Sequence, residues 1–242
     1  MEHLLKKPVE SAVELLGLPS SLAGRHVHVF MSLVALVIVI FVSFLVWRRL
    51  RSPERNLLPD QRPTFANVAE ITVSAILRLM DDVMGKGSAS HLPLVAGLFI
   101  YIMICNTMSI IPGMQAPTEN INTNLAMAGS VFVYYNYVGI KNQGLRKYLK
   151  HLAGPVIWLA PLMFAIELVS HIVRPVSLSV RLFGNMLGDH VVYTIFSDIA
   201  PFVIPVLFMI MAIFVSFIQA FVFVLLSMIY ISLASKGPLE EN

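Results

Sequence analysis

A chain of 242 residues that is 57% hydrophobic and only 13% charged is not an ordinary soluble domain, because globular proteins carry about 25% charged and about 45–50% apolar residues. The mean hydropathy of +0.78 assigns the surplus apolar surface to a lipid bilayer, and the single Cys105 and the low polarity exclude a disulfide scaffold and a disordered chain. The net charge of +3 raises nucleic acid as a partner, a reading that the positions of the bases decide.

Residues 1–26 are polar and lack the basic start and short apolar core of a signal peptide, so they read as an external segment. Val27 to Trp47 is an unbroken apolar run ending at Arg48, Arg49 and Arg51. Roughly 20 apolar residues cross the hydrocarbon core, so residues 27–47 are predicted to be a retained first transmembrane helix. Residues 48–92 form a cytoplasmic segment. Within it, residues 65–83 place Val68, Ile71, Ala75, Leu79 and Met80 at helical spacing, interspersed with Glu70, Arg78, Asp81 and Asp82. This pattern predicts an interfacial amphipathic helix, with a cytoplasmic bundle helix as the alternative.

The runs Pro93 to Ile111 and Ile121 to Ile140 form a transmembrane hairpin over 93–140, followed by a basic cytoplasmic loop, 141–154. Residues 155–234 hold three apolar runs, Pro155 to Val173, Val176 to Phe196 and Pro201 to Ala234. They read as a hairpin of two long helices, the first continuing through Arg174 and Pro175. About 42 residues at 1.5 Å each far exceed a bilayer, so the pair must lie steeply tilted, a geometry that calls for another protein surface to lean on. Residues 235–242 are a cytoplasmic tail. The fold expected is an all-α membrane protein with about five transmembrane helices, the interfacial helix and a long tilted C-terminal helix pair.

Cytoplasmic loops collect Lys and Arg. Seven bases follow the first span (Arg48, Arg49, Arg51, Arg55, Arg62, Arg78, Lys86), Lys141, Arg146, Lys147 and Lys150 follow the hairpin, and Lys236 follows the last span. The loop from Pro112 to Asn120 has none. The N-terminus is therefore expected outside and the C-terminus in the cytoplasm. Topology accounts for the basic balance, and no nucleic-acid partner is expected.

Charges inside a bilayer are costly and usually functional. Glu167, Arg174, Arg181, Asp189 and Asp198 lie in or beside the first long helix, with His171 and His190. Projected at about 100° per residue, Glu167, Ser170, Arg174, Ser177, Asn185 and Gly188 fall within about 40° of Arg181, and Gly184 at about −60°. This polar and small-residue face runs roughly 31 Å from Glu167 to Gly188. Small residues also line ordinary helix contacts, but such contacts need no arginines. His190, nine residues beyond Arg181, points to the opposite face, toward a second polar space or a neighbouring helix. On the last helix Gln219 is the only amide in a long apolar run, with the polar stripe of the preceding helix as its expected partner. A guanidinium stays charged, and a buried unpaired charge is heavily penalised. Glu167 is about 21 Å away along the axis, so Arg181 calls for an anion from another chain or from a substrate.

The stretch Pro175-Val-Ser-Leu-Ser-Val-Arg181-Leu-Phe-Gly-Asn185-Met with Gly188-Asp-His190 closely resembles subunit a of F-type ATP synthases. So do Gln219-Ala-Phe-Val-Phe with Tyr230-Ile-Ser-Leu-Ala, and Ile111-Pro-Gly with Pro117-Thr and Asn122-Thr-Asn-Leu-Ala. The resemblance implies a noncatalytic, proton-translocating stator subunit without a cofactor, and the fairly long external N-terminus without a transit-peptide pattern points to a bacterial plasma membrane. Its partners would be a ring of c subunits, peripheral-stalk b subunits and the rest of the complex. It implies that Arg181 faces the proton-carrying carboxylate of each passing c subunit, between two offset half-channels. By the same resemblance Asn185 and Gln219 are polar residues near the arginine, His190 belongs to the external half-channel, and Glu167 and Ser170 to the cytoplasmic one. One position departs from the family pattern. Seven residues before Gln219, where a second titratable group often stands, the chain has Ala212, and Asp189 is the neighbour that could compensate.

A secondary transporter binding an anionic substrate at Arg181 is the alternative, opposed by the lack of an inverted repeat and the small number of spans. An intramembrane metalloenzyme is weaker still. His26 and His28, or Glu167 and His171, supply no complete ligand set, and no Walker-type glycine loop is present.

Overall fold

The computed structural model describes residues 27–50, 65–85, 87–109, 116–144, 147–148, 160–199 and 203–235. These residues form six α-helices and two short 3-10 turns: α1 (Val27–Leu50), α2 (Phe65–Met84), a turn at Ser88–His91, α3 (Leu92–Met108), a turn at Pro117–Glu119, α4 (Ile121–Gln143), α5 (Ala160–Ile199) and α6 (Val203–Ser235). The expected all-α membrane class is borne out. Four helices, α1, α3, α5 and α6, are long and apolar enough to cross a bilayer. The fifth, α4, has 23 residues, about 34 Å of helix. Asn122, Asn124, Asn136, Lys141, Asn142 and Gln143 make it too polar to stand with the other four, and it packs against both α5 and α6.

The core gathers where these three helices and α3 meet. Ile102 from α3, Val131, Tyr135 and Val138 from α4, Leu178 and Leu182 from α5, and Phe223 and Ile231 from α6 form one buried cluster. Amphipathic α2 inserts Ile76 and Met80 against Val95 of α3 and Val224 and Met228 of α6, while Val68 and Ile71 stay 58% and 67% exposed. A helix with one stripe on the bundle and further apolar residues uncovered suits an interface between protein, lipid and water. On α1, Met31 and Ala35 pack against Cys105 and Met108, and Ser32 hydrogen-bonds the Tyr101 hydroxyl. Large apolar side chains remain exposed along the other faces of α1, α5 and α6, as lipid-facing helices require.

The two long helices are antiparallel in a defined register. Phe196 meets Phe208 with ring centroids 5.9 Å apart, and the Arg174 guanidinium sits 5.5 Å from the Tyr230 ring centroid. Both contacts set one alignment, which brings Asn185 level with Gln219 and Arg181 level with Phe223. α5 runs unbroken through Pro175. Forty and 33 residues correspond to about 60 and 50 Å, against a hydrocarbon core of about 30 Å, so both helices must cross at a steep tilt.

Candidate functional site

Helix α5 divides its residues sharply by direction. Leu178, Ser179, Leu182 and Met186 are buried, and these four fix the rotation of the helix. Arg181 lies at the margin of that buried face and is exposed, as are Ser177, Gly184 and Gly188. A Cβ built at Gly184 or Gly188 meets no atom within 4 Å. Among the described residues nothing packs onto Gly184 or Gly188, so the stripe beside the arginine is bare there. Among the described residues no carboxylate reaches Arg181. Asn185 is half-buried one turn away. Gln219 is half-buried at the same height, but no hydrogen bond joins it to the α5 stripe among the described residues, contrary to the expectation from sequence. The register brings the two amides level without making them touch.

Toward the start of α5 lies a hydrogen-bonded cluster. Glu167 Oε1 is 3.3 Å from Arg174 Nη2 and 3.6 Å from His171 Nδ1. His171 Nε2 is 3.0 Å from the Tyr148 hydroxyl, which donates to Asn136 Oδ1 at 2.7 Å. Asn136 Nδ2 donates to Phe132 O at 2.7 Å, so its Oδ1 is the acceptor that faces Tyr148. With the Tyr148 proton committed to Asn136, the proton on His171 belongs on Nε2. Nδ1 is then the bare nitrogen, and it is the one that faces Glu167 Oε1. Ser170 is half-buried on the same helix, one residue from His171.

Toward the other end of α5, His190 is 60% exposed and its Nδ1 lies 3.7 Å from Glu119 Oε1 on the turn between α3 and α4. Asp189 is half-buried beside it. Counted along the axis, Arg181 stands about 21 Å from Glu167 and about 14 Å from His190. The positions named from sequence therefore fall into three places: a cluster at one end (Glu167, Ser170), a bare central stripe (Arg181, Asn185, with Gln219 level with it), and a pair at the other end (His190, Asp189).

Sequence reasoning did not select Glu119, Tyr148 or Asn136. Glu119 is the single acid in the Pro112 to Asn120 loop, which was a usable signal. Tyr148 and Asn136 gave none, because their role depends on α4 and the helical residues 147–148 beyond it folding against α5. Among the described residues no group of three His, Cys, Asp or Glu is arranged to hold a metal ion.

The fold and this site define a multi-pass, all-helical membrane protein whose ionisable groups are strung along one long helix. Residues 29–232 match the family model described as ATP synthase A chain, and the chain belongs to that family. It is 41% identical over 210 residues to ATP synthase subunit a of Bdellovibrio bacteriovorus, covering 87% of this chain and 92% of that one. Over 206 residues it is 44% identical to ATP synthase subunit a 3 of Pelobacter propionicus, covering 85% and 84%. It is also 50% identical over 175 residues to the subunit a of Trichlorobacter lovleyi, covering 72% and 74%.

Proposed function

We propose that this protein is the proton-translocating stator subunit of an F-type ATP synthase, noncatalytic in itself, seated in a bacterial plasma membrane with its N-terminus outside and its C-terminus in the cytoplasm. The observation that carries this reading is Arg181 on an exposed stripe whose Gly184 and Gly188 no described residue packs against, with ionisable clusters far along the helix on either side. A fixed guanidinium and bare glycines fit the surface of a ring of c subunits passing across α5. Peripheral-stalk b subunits and the rest of the complex hold the protein still while the ring turns.

The chemistry follows from charge. A cation beside a carboxylic acid favours its ionised form, so a ring carboxyl arriving at Arg181 gives up its proton. Arg181 itself never deprotonates and repels a proton moving straight from one side to the other. Glu167, Ser170 and the His171 relay serve the cytoplasmic half-channel, and His190 with Asp189 the external one. Asn185 and Gln219 keep the surroundings of the arginine polar. Entry and exit are then offset along α5, and a proton can pass only by riding the ring. Each charge crossing contributes about 2.3 kcal/mol per 100 mV.

Replacing Arg181→Ala tests the reading in the assembled complex, reconstituted in liposomes. Proton-driven ATP synthesis is expected to vanish while the c ring still co-purifies. Synthesis retained by that variant overturns the assignment.

A further inference from the structure

Helix α6 carries no Asp, Glu, His, Lys or Arg from Val203 to Ser235, and the antiparallel register sets Ala212 at the height of Val192, close to His190. The external pair on α5 thus has no ionisable companion on the helix beside it. A carboxyl group does approach from elsewhere in the chain, that of Glu119. We infer that Glu119, on the turn between α3 and α4, is the group that passes protons to His190 in the external half-channel, an inference that rests on the function proposed above.

The turn is built to hold that carboxyl group in place. Pro117 and Thr118 are buried. Thr118 Oγ1 donates to Asn106 Oδ1 at 2.8 Å, and Asn124 Nδ2 donates to Thr118 O at 2.8 Å. Asn106, Thr118 and Asn124 are each fully buried. Three buried polar residues from α3, the turn and α4 therefore lock the backbone on which Glu119 stands, a rigid support of the kind that keeps a functional side chain aimed. Glu119 is only 21% exposed, while His190 is 60% exposed. The carboxyl group stands on an anchored turn, and the imidazole is the more exposed partner.

Their 3.7 Å separation exceeds a direct hydrogen bond by about 0.7 Å, which a small rotation of His190 or one bridging water closes. Protonated Glu119 gives its proton to His190 Nδ1, leaving a carboxylate beside an imidazolium. The imidazolium then releases its other ring proton, on Nε2, toward the ring of c subunits. A flip of the exposed imidazole turns the bare nitrogen back to Glu119, and Glu119 takes a proton from external water. Each cycle moves one proton and returns both groups to their starting charge. Burial pushes the Glu119 carboxyl above the ordinary carboxylate range, partly offset by the His190 charge and the Ala116 backbone, so it holds a proton nearer to neutral pH than an exposed glutamate does. The elements packed against the turn also carry His28 on α1, Tyr101 and Cys105 on α3, and, in the part of α5 nearest His190, Arg181, Asp189 and Tyr193. The first two turns of α4 carry none.

The test uses the reconstituted complex, with synthesis measured as the pH on the external side is varied. For Glu119→Gln we expect at least a tenfold loss, with the alkaline decline of the profile moved to lower pH. Adding Ala212→Glu, which returns a carboxyl group at the same height, should recover much of the rate. A native rate and an unchanged profile for Glu119→Gln, alongside an inactive Arg181→Ala complex, overturn this inference alone. Activity in Arg181→Ala overturns the underlying reading instead. If Glu119→Gln prevents recovery of the c ring, Glu119→Asp is measured in its place. The longer gap should then slow synthesis at alkaline external pH, and a native profile throughout overturns the inference.

Discussion

Gly139 on α4 is the point at which a single methyl group should unsettle the Glu167–His171–Tyr148 cluster. A Cβ placed there would lie 2.7 Å from Tyr148 Cε2, 3.2 Å from Tyr148 Cδ2 and 3.3 Å from the backbone oxygen of Ala234. The α6 backbone is the less able to yield, because Gln143 Nε2 also donates to Ala234 O at 2.9 Å. The Tyr148 ring must therefore retreat by about 1 Å to reach ordinary carbon–carbon contact near 3.5–4.0 Å. Its hydroxyl moves with it, stretching bonds of 2.7 Å to Asn136 and 3.0 Å to His171 beyond hydrogen-bonding distance. Two such bonds contribute about 0.5–1.5 kcal/mol each, so Gly139→Ala should destabilise the protein by about 1–3 kcal/mol. Function should suffer further, since Tyr148 orients His171 and His171 faces Glu167. The check pairs thermal unfolding of the purified complex with proton-driven synthesis, using Gly184→Ala as the control because no atom lies within 4 Å of that Cβ. Native stability and native synthesis in Gly139→Ala would refute both the tight approach and the role given to the Tyr148 relay.

Two further outcomes bear on the bare stripe and the external pair. Gly184→Leu should leave the melting behaviour of the subunit unchanged, since the added side chain enters open space, yet lower c-ring recovery or ring rotation by at least tenfold. Normal synthesis in that variant counts against a ring surface at this face. Asp189→Asn should reduce synthesis by a few fold, less than Glu119→Gln does, because Asp189 precedes His190 on the same helix and points about 100° away from it, whereas Glu119 faces His190 Nδ1 at 3.7 Å. An unchanged rate removes Asp189 from the proton path.

The apolar runs, the basic loops and the stripe around Arg181 were legible in the chain because each is a local property. A run of roughly 20 apolar residues has few places to go other than a bilayer, and a repeat near 3.6 residues puts Glu167, Arg174, Arg181 and Gly188 on one side of any helix that forms. The exclusion of His190 from that side follows from the same geometry, as does the demand of Arg181 for an outside anion. The run Ile121 to Ile140 was legible as a helix despite its amides, but their partners belong to the folded chain: Asn124 donates to Thr118 O, Asn136 accepts from Tyr148 and Gln143 donates to Ala234 O.

Contacts between distant segments belong to tertiary structure. Glu119 meets His190 across 71 positions because a buried Asn106–Thr118–Asn124 latch aims the turn. Tyr148 reaches His171 because Gly139 leaves room for its ring. Gln219 is level with Asn185 because the aromatic pair Phe196 and Phe208 and the Arg174 contact with Tyr230 set one register. Periodicity fixes the direction of a side chain about its own helix axis, so the sequence by itself determined which groups share a face. It carries no information on the relative height and rotation of two helices, which come from the packing of many side chains at once. Only the tertiary structure therefore decided which of those groups meet.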